Sequence, residues 1–240
     1  MKYDTGFCWS RGLRKEINED SILLQQIRTK RGKIVLAAVS DGIGGLSEGE
    51  MASGFLMEEL RRWFYGEGMT LLKLKQRQRK TIRLLEKSLS RQLYRSAEKL
   101  AAYGEQNRCK LGATFTAIMI IGKHFFVCSV GDSRAVWVSG RKCIWLTKDD
   151  VDEKGRLLRC IGSEGWYPLQ FKRGRLRGKT LLLVCTDGFW RKLELEDMQK
   201  FNSANGQSEL EQWLHQMKRI LRSRGEKDDM AVVGIYTETI

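Results

Sequence analysis

The stretch KIVLAAVSDG, residues 33–42, decides the fold of this chain. It is a short apolar run rich in β-branched residues, which predicts a buried strand, and its closing aspartate and glycine predict a tight turn. The same order of features recurs in TLLLVCTDG, residues 180–188. Between these strands, apolar residues at steps of three and four predict a helix from about Ser47 and a second one over residues 78–103.

Beyond Gly112 the pattern changes to short strands separated by polar turns. We expect strands at ATFTAIMII, HFFVCSV, RAVWVS and KCIWLT, spaced as an antiparallel meander. Residues 148–177 are polar and weakly periodic, which predicts a loop with at most one helical turn. An amphipathic helix over residues 210–221 and a closing strand MAVVGIY follow. Because no repeat or linker interrupts this order, we expect one domain over residues 1–240.

The composition is that of an ordinary water-soluble domain. The chain has 240 residues, of which 42% are hydrophobic and 30% charged, and this excludes a disordered or membrane protein. The longest apolar runs, AIMII and LLLVC, are far shorter than the roughly 20 residues of a membrane span. The six cysteines have no CxxC spacing, which indicates buried reduced thiols and a cytoplasmic location.

The net charge is unusual. Forty-three basic against 29 acidic residues give +14, which favours acidic, phosphorylated or nucleic-acid partners. Residues 61–108 hold 13 of the Lys and Arg residues against four Glu. A second basic cluster precedes the TDG strand and consists of Lys172, Arg173, Arg175, Arg177 and Lys179. Each cluster is either a solvated surface or a surface that attracts phosphorylated, acidic segments.

Acidic residues stand repeatedly at the ends of apolar runs. Asp20 precedes SILL, Asp41 and Asp187 follow the two strands quoted first, Asp132 follows FFVCSV, and Asp228 and Asp229 precede MAVVGIY. Each one alone is typical of a turn. Gathered at one place they would repel each other unless a cation lay between them. Oxygen ligands suit Mg²⁺ or Mn²⁺, whereas zinc favours His and Cys.

Six short words carry a family resemblance. They are INEDS (17–21), SDGIGGLSEGEMAS (40–53), LGATFTAI (111–118), VGDSRAVW (130–137), CTDGFW (185–190) and KDDMAVVGIY (227–236). In this order they resemble the PPM-type metal-dependent protein serine/threonine phosphatases, the protein phosphatase 2C-like family, over nearly the whole chain. The resemblance implies an α+β fold, a four-layer α-β-β-α sandwich with two central antiparallel sheets.

The resemblance also implies a metal centre of two, and at most three, Mn²⁺ or Mg²⁺ ions. Its oxygen ligands would come from Glu19, Asp20, Asp41, Gly42, Asp132, Asp187 and Asp228. In this arrangement Asp41 would bridge two ions, the Gly42 carbonyl would ligate one of them, and Asp132 with Asp187 would hold the third. A water bridging two ions would attack the phosphorus directly, without a cysteine nucleophile or a covalent intermediate.

The implied function is hydrolysis of phosphoserine and phosphothreonine in proteins that a serine/threonine kinase has phosphorylated. Asp41 and Asp187 would be central to catalysis. We further expect a monomer without membrane or nucleic-acid partners. The family usually has a phosphate-binding Arg three residues before the Asn of NED, where this chain has Lys15 with Arg14 beside it, so we expect Lys15 or Arg14 to contact the phosphate.

Two departures leave an alternative open. The flap that usually separates the last strand of the meander from the next conserved word is shortened to residues 148–160, and Ala231 stands where the family more often has Thr. The Ala removes one hydroxyl group but no metal ligand. The short flap and Lys15 are also compatible with a PPM-fold binding or regulatory module of reduced activity. Nucleic-acid binding through the basic surface rests on charge alone, since no recognition motif accompanies it.

Overall fold

The computed structural model describes residues 2–43, 48–162, 168–201 and 207–238. Within these ranges the strands are β1 (Lys2–Ser10), β2 (Asp20–Thr29), β3 (Gly32–Asp41), β4 (Phe115–Ile121), β5 (His124–Val130), β6 (Arg134–Ser139), β7 (Lys142–Trp145), β8 (Gln170–Arg175), β9 (Lys179–Cys185) and β10 (Met230–Glu238). The helices are α1 (Gly49–Trp63), α2 (Met69–Lys73), α3 (Gln78–Asn107), α4 (Asp187–Trp190), α5 (Leu195–Gln199) and α6 (Gln207–Ser223), and a π-helical turn (Phe64–Gly68) joins α1 to α2. Gly44, Gly45 and the expected helix start at Ser47 lie outside the described residues.

The strands form two antiparallel sheets of five strands each. One sheet has the order β1-β10-β9-β6-β7, and the other has the order β2-β3-β4-β5-β8. One apolar core lies between the two sheets, a second lies between the β3-containing sheet and helices α1 and α3, and a third lies between the other sheet and α6. The expected four-layer α-β-β-α sandwich is therefore confirmed.

The continuous apolar run of β3 follows from its central place in this sandwich. Ile34, Leu36 and Ala38 face the helices, while their neighbours Val35 and Val39 face the other sheet. Alternate side chains of a strand point to opposite faces, so a strand covered on both sides needs apolar residues at every position. Each of these buried Val, Leu or Ile side chains contributes about 1.5–3 kcal/mol to folding.

The expected meander over β4 to β7 is wrong. The structure pairs β4 with β5 in one sheet and β6 with β7 in the other, and the chain crosses between the sheets at residues 131–133. Strand spacing sets the antiparallel direction of neighbouring strands, but it carries no information about which sheet each pair joins. The crossing places Asp132 at the end of the sandwich where both sheets terminate.

Three edge strands were not predicted. Strand β8 lies inside the expected loop, and its sequence QFKRGR is polar because β8 has only one neighbour and leaves Lys172 and Arg173 exposed. Strands β1 and β2 are also edge strands. Between β7 and β8, the described residues contain no helix, in agreement with the expected short flap. No helix of the described part of the chain is both long and apolar enough to cross a bilayer.

The pairing of β1 with β10 brings residues near the two ends of the described chain together. These strands come from opposite ends of the described chain and are in register from Lys2 opposite Glu238 to Ser10 opposite Met230. The segment that follows β1, residues 11–19, therefore lies beside residues 227–229. A hydrogen bond from the Leu13 amide to the Lys227 carbonyl, 2.9 Å long, extends this pairing past the strand ends.

Candidate metal centre

Carboxylates from both sheets meet at one end of the sandwich. Asp20 opens β2 and Asp41 closes β3, and the two residues are direct partners across the antiparallel pair. Asp187 opens α4 immediately after β9, and Asp228 stands two residues before β10. The Asp41 carboxyl group lies within hydrogen-bonding reach of Asp187. The structure thus brings together four of the predicted ligands, which are up to 208 positions apart in the chain.

Hydrogen bonds between the sheets fix this arrangement. The Thr186 hydroxyl donates to Asp20 Oδ2 over 2.7 Å, and the Ala231 amide donates to the same hydroxyl over 2.9 Å. Asp229 Oδ1 accepts from the Gly12 amide at 2.7 Å, and its Oδ2 accepts from the Glu19 amide at 2.9 Å. Since Thr186 and Asp229 each connect segments remote in sequence, they hold the carboxylates in position.

The two Asp-Gly words are needed for close packing as well as for turning. A Cβ atom at Gly42 would collide with the Gly49 carbonyl, and one at Gly188 would collide with the Asp229 carbonyl. In addition, the Gly42 amide donates to the Glu19 carbonyl over 3.0 Å. These glycines let the backbone segments of the predicted ligands approach each other, which a side chain would prevent.

The electrostatics of the cluster favour a divalent cation. Burial and the neighbouring carboxylates raise the pKa of Asp20 and of Asp41 well above the usual range, and burial raises the pKa of Asp187 as well. For Asp132, burial and the charge of Asp187 raise the pKa to about 6. Asp20 is 2% exposed, and its Oδ1 atom has no hydrogen-bond partner among the described residues. Buried carboxyl groups that resist ionisation when no cation is near fit a Mn²⁺ or Mg²⁺ centre.

Lys15 lies among these acids, whereas Arg14 does not. The Lys15 ammonium is 2.7 Å from Glu19, 3.1 Å from Asp228 and 3.0 Å from Asp229. Burial alone would lower the pKa of Lys15, but these three partners outweigh it and raise that pKa. Arg14 is exposed, and it has no hydrogen bond or ion pair within the described ranges. Of the two candidates for phosphate contact, only Lys15 reaches the cluster.

Three residues of the cluster were missed in the sequence analysis. Arg191 contacts Asp187 directly and lies 3.5 Å from Glu226 and 3.7 Å from Asp228. Its position four residues after Asp187, one helical turn, was a usable signal. Asp229 was recognised only as the second Asp of the motif KDDMAVVGIY, and no sequence pattern pointed to Glu226. As the side chains stand, no three His, Cys, Asp or Glu groups of the described residues enclose a metal position, and Lys15 and Arg191 lie between the carboxylates instead.

Asp132 is held beside the cluster by its backbone. Its carbonyl accepts a hydrogen bond of 2.9 Å from the Trp190 indole. The Trp190 ring lies 3.3 Å beneath the Arg134 guanidinium, which also makes two hydrogen bonds to Asp149. Trp190 thus holds the backbone of Asp132, and the charge of Asp187 acts on the Asp132 carboxyl group.

Neither the cysteines nor the basic cluster adds a reacting group to this site. All six thiols are free, and burial raises the pKa of Cys128 and Cys185, which opposes formation of a nucleophilic thiolate. Arg173 of the second basic cluster pairs with the buried Glu86 of α3 and so fastens β8 to that helix. That part of the cluster serves packing.

Comparison with known proteins places the chain in a family. The model of the protein phosphatase 2C family matches residues 11–232, and the chain belongs to that family. Its fold is that of bacterial serine/threonine phosphatases. No curated protein matches the chain significantly.

Three solved structures illustrate the shared fold. The S. agalactiae serine/threonine phosphatase superposes with a TM-score of 0.79 at 19% identity, over 99% of this chain and 100% of that one. Stp1 from Staphylococcus aureus gives 0.81 at 18%, over 100% and 96%. The catalytic domain of the phosphatase PstP, in complex with two manganese ions, gives 0.73 at 21%, over 98% and 99%. Identities this low carry the fold and not the chemistry.

Proposed function

We propose that this chain is a Mn²⁺- or Mg²⁺-dependent phosphatase that hydrolyses phosphoserine and phosphothreonine in proteins. The observation that carries the proposal is the meeting of Asp20, Asp41, Asp187 and Asp228 at one end of the sandwich. Burial raises the pKa of the first three, whereas Lys15 lowers the pKa of Asp228. Family membership and the manganese complex of PstP support the same conclusion.

The proposal assigns the residues of the cleft to distinct tasks. Asp20, Asp41, Asp187 and Asp228 would hold two ions together with Glu19 and the Gly42 carbonyl, and Asp132 would take part in holding a third. When bound, such ions lower the pKa of a water molecule and offset charge on the phosphoryl oxygens. Thr186 and Asp229 keep the carboxylates of the two sheets in register through the hydrogen bonds described above.

The substrates would be phosphoproteins produced by a serine/threonine kinase. Exposed basic residues, including Lys172 and Arg175, would attract phosphorylated, acidic segments to the protein. This attraction would weaken with salt. We also keep the expectation of a cytoplasmic monomer as part of this proposal.

Hydrolysis of a small aryl phosphate and of a phosphothreonine peptide tests the proposal. We expect turnover with Mn²⁺ that disappears in a chelator and returns when Mn²⁺ is restored. Asp187→Asn should abolish it, whereas Asp152→Asn, in an exposed turn between β7 and β8, should not. Wild-type protein that stays inert with saturating Mn²⁺ would overturn the assignment.

One observation favours a second candidate, a PPM-fold binding module with reduced activity. Lys15 and Arg191 already offset the charge of the carboxylates, as a decayed metal site would need. Titration with Mn²⁺ by calorimetry separates the two candidates. A phosphatase should bind at least two ions per chain, and a binding module should take up Mn²⁺ weakly and in less than stoichiometric amount.

A further inference from the structure

Phosphate binding at this site requires a cationic side chain with N–H donors that are not already engaged. A phosphate monoester is a dianion, and the cleft that would receive it is lined by carboxylates from both sheets. An approaching phosphoryl group therefore requires positive charge from the protein in addition to any ion. The inference below rests on the proposed function, since it names the residue that would recognise the phosphoryl group.

Lys15 does not meet this requirement. An ammonium group has three N–H donors. Lys15 lies within 3.1 Å of three different carboxylates, those of Glu19, Asp228 and Asp229. Asp229 is 2% exposed and, among the described residues, receives two backbone amides besides Lys15, so releasing the ammonium would leave a buried charge poorly compensated. Lys15 is therefore fully engaged as the counterion of this carboxylate group.

Arg191 has the geometry and the free donors that Lys15 lacks. It follows the short helix α4, whose hydrogen bond from the Arg191 amide to the Asp187 carbonyl, 2.8 Å long, turns the side chain back toward Asp187. Its Nη2 atom contacts Asp187, while Nη1 lies a long 3.5 Å from Glu226 and 3.7 Å from Asp228. Among the described residues Nε has no acceptor, and the side chain is 42% exposed at the cleft.

The surroundings of Arg191 hold it in place. Glu226 is 4% exposed and accepts the amides of Lys227 and Asp228 at 2.8 and 3.0 Å, so its position is fixed by the loop that carries Asp228. The preceding residue, Trp190, is anchored to the Asp132 carbonyl. Arg191 is thus held by α4 and by its acidic partners, and the N–H donors that these partners leave free belong to a planar fork that can bind two phosphate oxygens.

We infer that Arg191 is the phosphate-binding residue of this site and that it supplies the bidentate contact which Lys15 cannot. The ligand class is a phosphate monoester dianion or inorganic phosphate. Lys15 then belongs to the architecture of the cleft, and Arg191 to substrate recognition.

The test measures binding of inorganic phosphate by calorimetry to the full chain saturated with Mn²⁺. We expect Arg191→Gln to weaken phosphate binding by about tenfold or more and Arg191→Lys to weaken it less, because Lys keeps the charge without the fork. Lys192→Gln is the matched control. It removes one positive charge from the next residue, whose exposed side chain has no hydrogen bond or ion pair within the described ranges, and phosphate affinity should change by less than about twofold.

A second readout separates phosphate recognition from support of the carboxylates. Mn²⁺ affinity, titrated without phosphate, should stay within about threefold of wild type in Arg191→Gln, and KM for an aryl phosphate should rise more than kcat falls. Equal losses of Mn²⁺ and phosphate affinity would reduce Arg191 to a support for Asp187. Unchanged phosphate affinity in a folded Arg191→Gln variant, or a wild type that binds no phosphate at Mn²⁺ saturation, would overturn the inference.

These outcomes differ from those that concern the proposed function. A wild type without Mn²⁺-dependent turnover contradicts the phosphatase itself. Mn²⁺-dependent turnover combined with unaltered phosphate binding by Arg191→Gln contradicts only the role of Arg191. If Arg191→Gln does not fold, as judged by circular dichroism, Arg191→Lys decides, because it retains the charge and must still bind phosphate more weakly than wild type.

Discussion

Replacing Lys15 by Met should destabilise the metal-free protein, because it removes the counterion of a buried carboxylate. Lys15 is 30% exposed and pairs with Glu19, Asp228 and Asp229, which are 17%, 34% and 2% exposed. The buried Asp229 determines the loss of stability, because water can replace the ammonium at the more exposed Glu19 and Asp228. We expect a smaller free energy of unfolding and greater mobility of residues 11–19.

The magnitude follows from the burial of the two partners. Breaking a fully buried ion pair costs about 3–5 kcal/mol, and exposed pairs contribute about 0–1 kcal/mol. Because Asp229 is buried and Lys15 partly exposed, and because the Gly12 and Glu19 amides still donate to Asp229, we expect a loss of about 2 kcal/mol. With a urea m-value of about 2–3 kcal/mol/M, the unfolding midpoint should fall by about 0.7–1 M.

Urea unfolding in a chelator, followed by tryptophan fluorescence, measures this loss. The control is Lys192→Met, which should shift the midpoint by no more than about 0.2 M, in line with an unpaired surface charge. Lys15→Arg keeps the positive charge and should retain more of the stability than Lys15→Met does. A Lys15→Met variant as stable as wild type, or a Lys15→Arg variant no better than Lys15→Met, would refute the counterion role of Lys15.

The remaining predictions concern the carboxylates and their glycines. Asp41→Asn and Asp187→Asn should each lower kcat for an aryl phosphate with Mn²⁺ by roughly 100-fold or more while the far-ultraviolet circular dichroism stays unchanged; activity near wild type would contradict the ligand assignment. The pKa of Asp132 is raised to about 6, so the folded protein binds this proton more tightly than the unfolded chain does. The stability that this proton contributes to the folded state is fully present below about pH 4 and is lost as the pH rises through 6. In a chelator, Asp132→Asn should therefore flatten the fall in melting temperature between pH 4.5 and 7, and an unaltered slope would argue against a raised pKa. Gly188→Ala places a methyl group against the Asp229 carbonyl and should cost about 1–3 kcal/mol in thermal unfolding, more than Gly178→Ala, where the only cost is a positive φ of 58° at a position open to solvent.

The central strands could be predicted from the sequence because they have apolar residues at successive positions. The run in β3 has apolar residues on both faces, and the structure shows a helix layer on one side and a sheet on the other. The edge strand β8 could not be predicted in the same way. It pairs only with β5 in its sheet, and Lys172 and Arg173 are exposed on it, so its sequence pattern resembles that of a loop.

The candidate site was predictable where ligands stand at strand ends, and less so where its geometry depends on neighbours. Asp20, Asp41, Asp187 and Asp228 were expected together, and the structure brings them together. That Lys15 would be engaged by Asp229 depends on the pairing of β1 with β10, which no local pattern encodes. Arg191 was missed because its role depends on Asp228 and Glu226, which reach it only through the tertiary fold.

The pairing of β1 with β10 has a consequence for biosynthesis. Asp20 and Asp41 leave the ribosome early, but their partner Asp228 and strand β10 are made some 200 residues later, and at 5–20 residues per second this delay is roughly 10–40 seconds. Throughout that interval β1 lacks its partner β10, and the carboxylate cluster lacks Asp228. A translation product that ends before β10 would therefore have neither the complete set of carboxylates nor the strand pairing that holds residues 11–19 beside them.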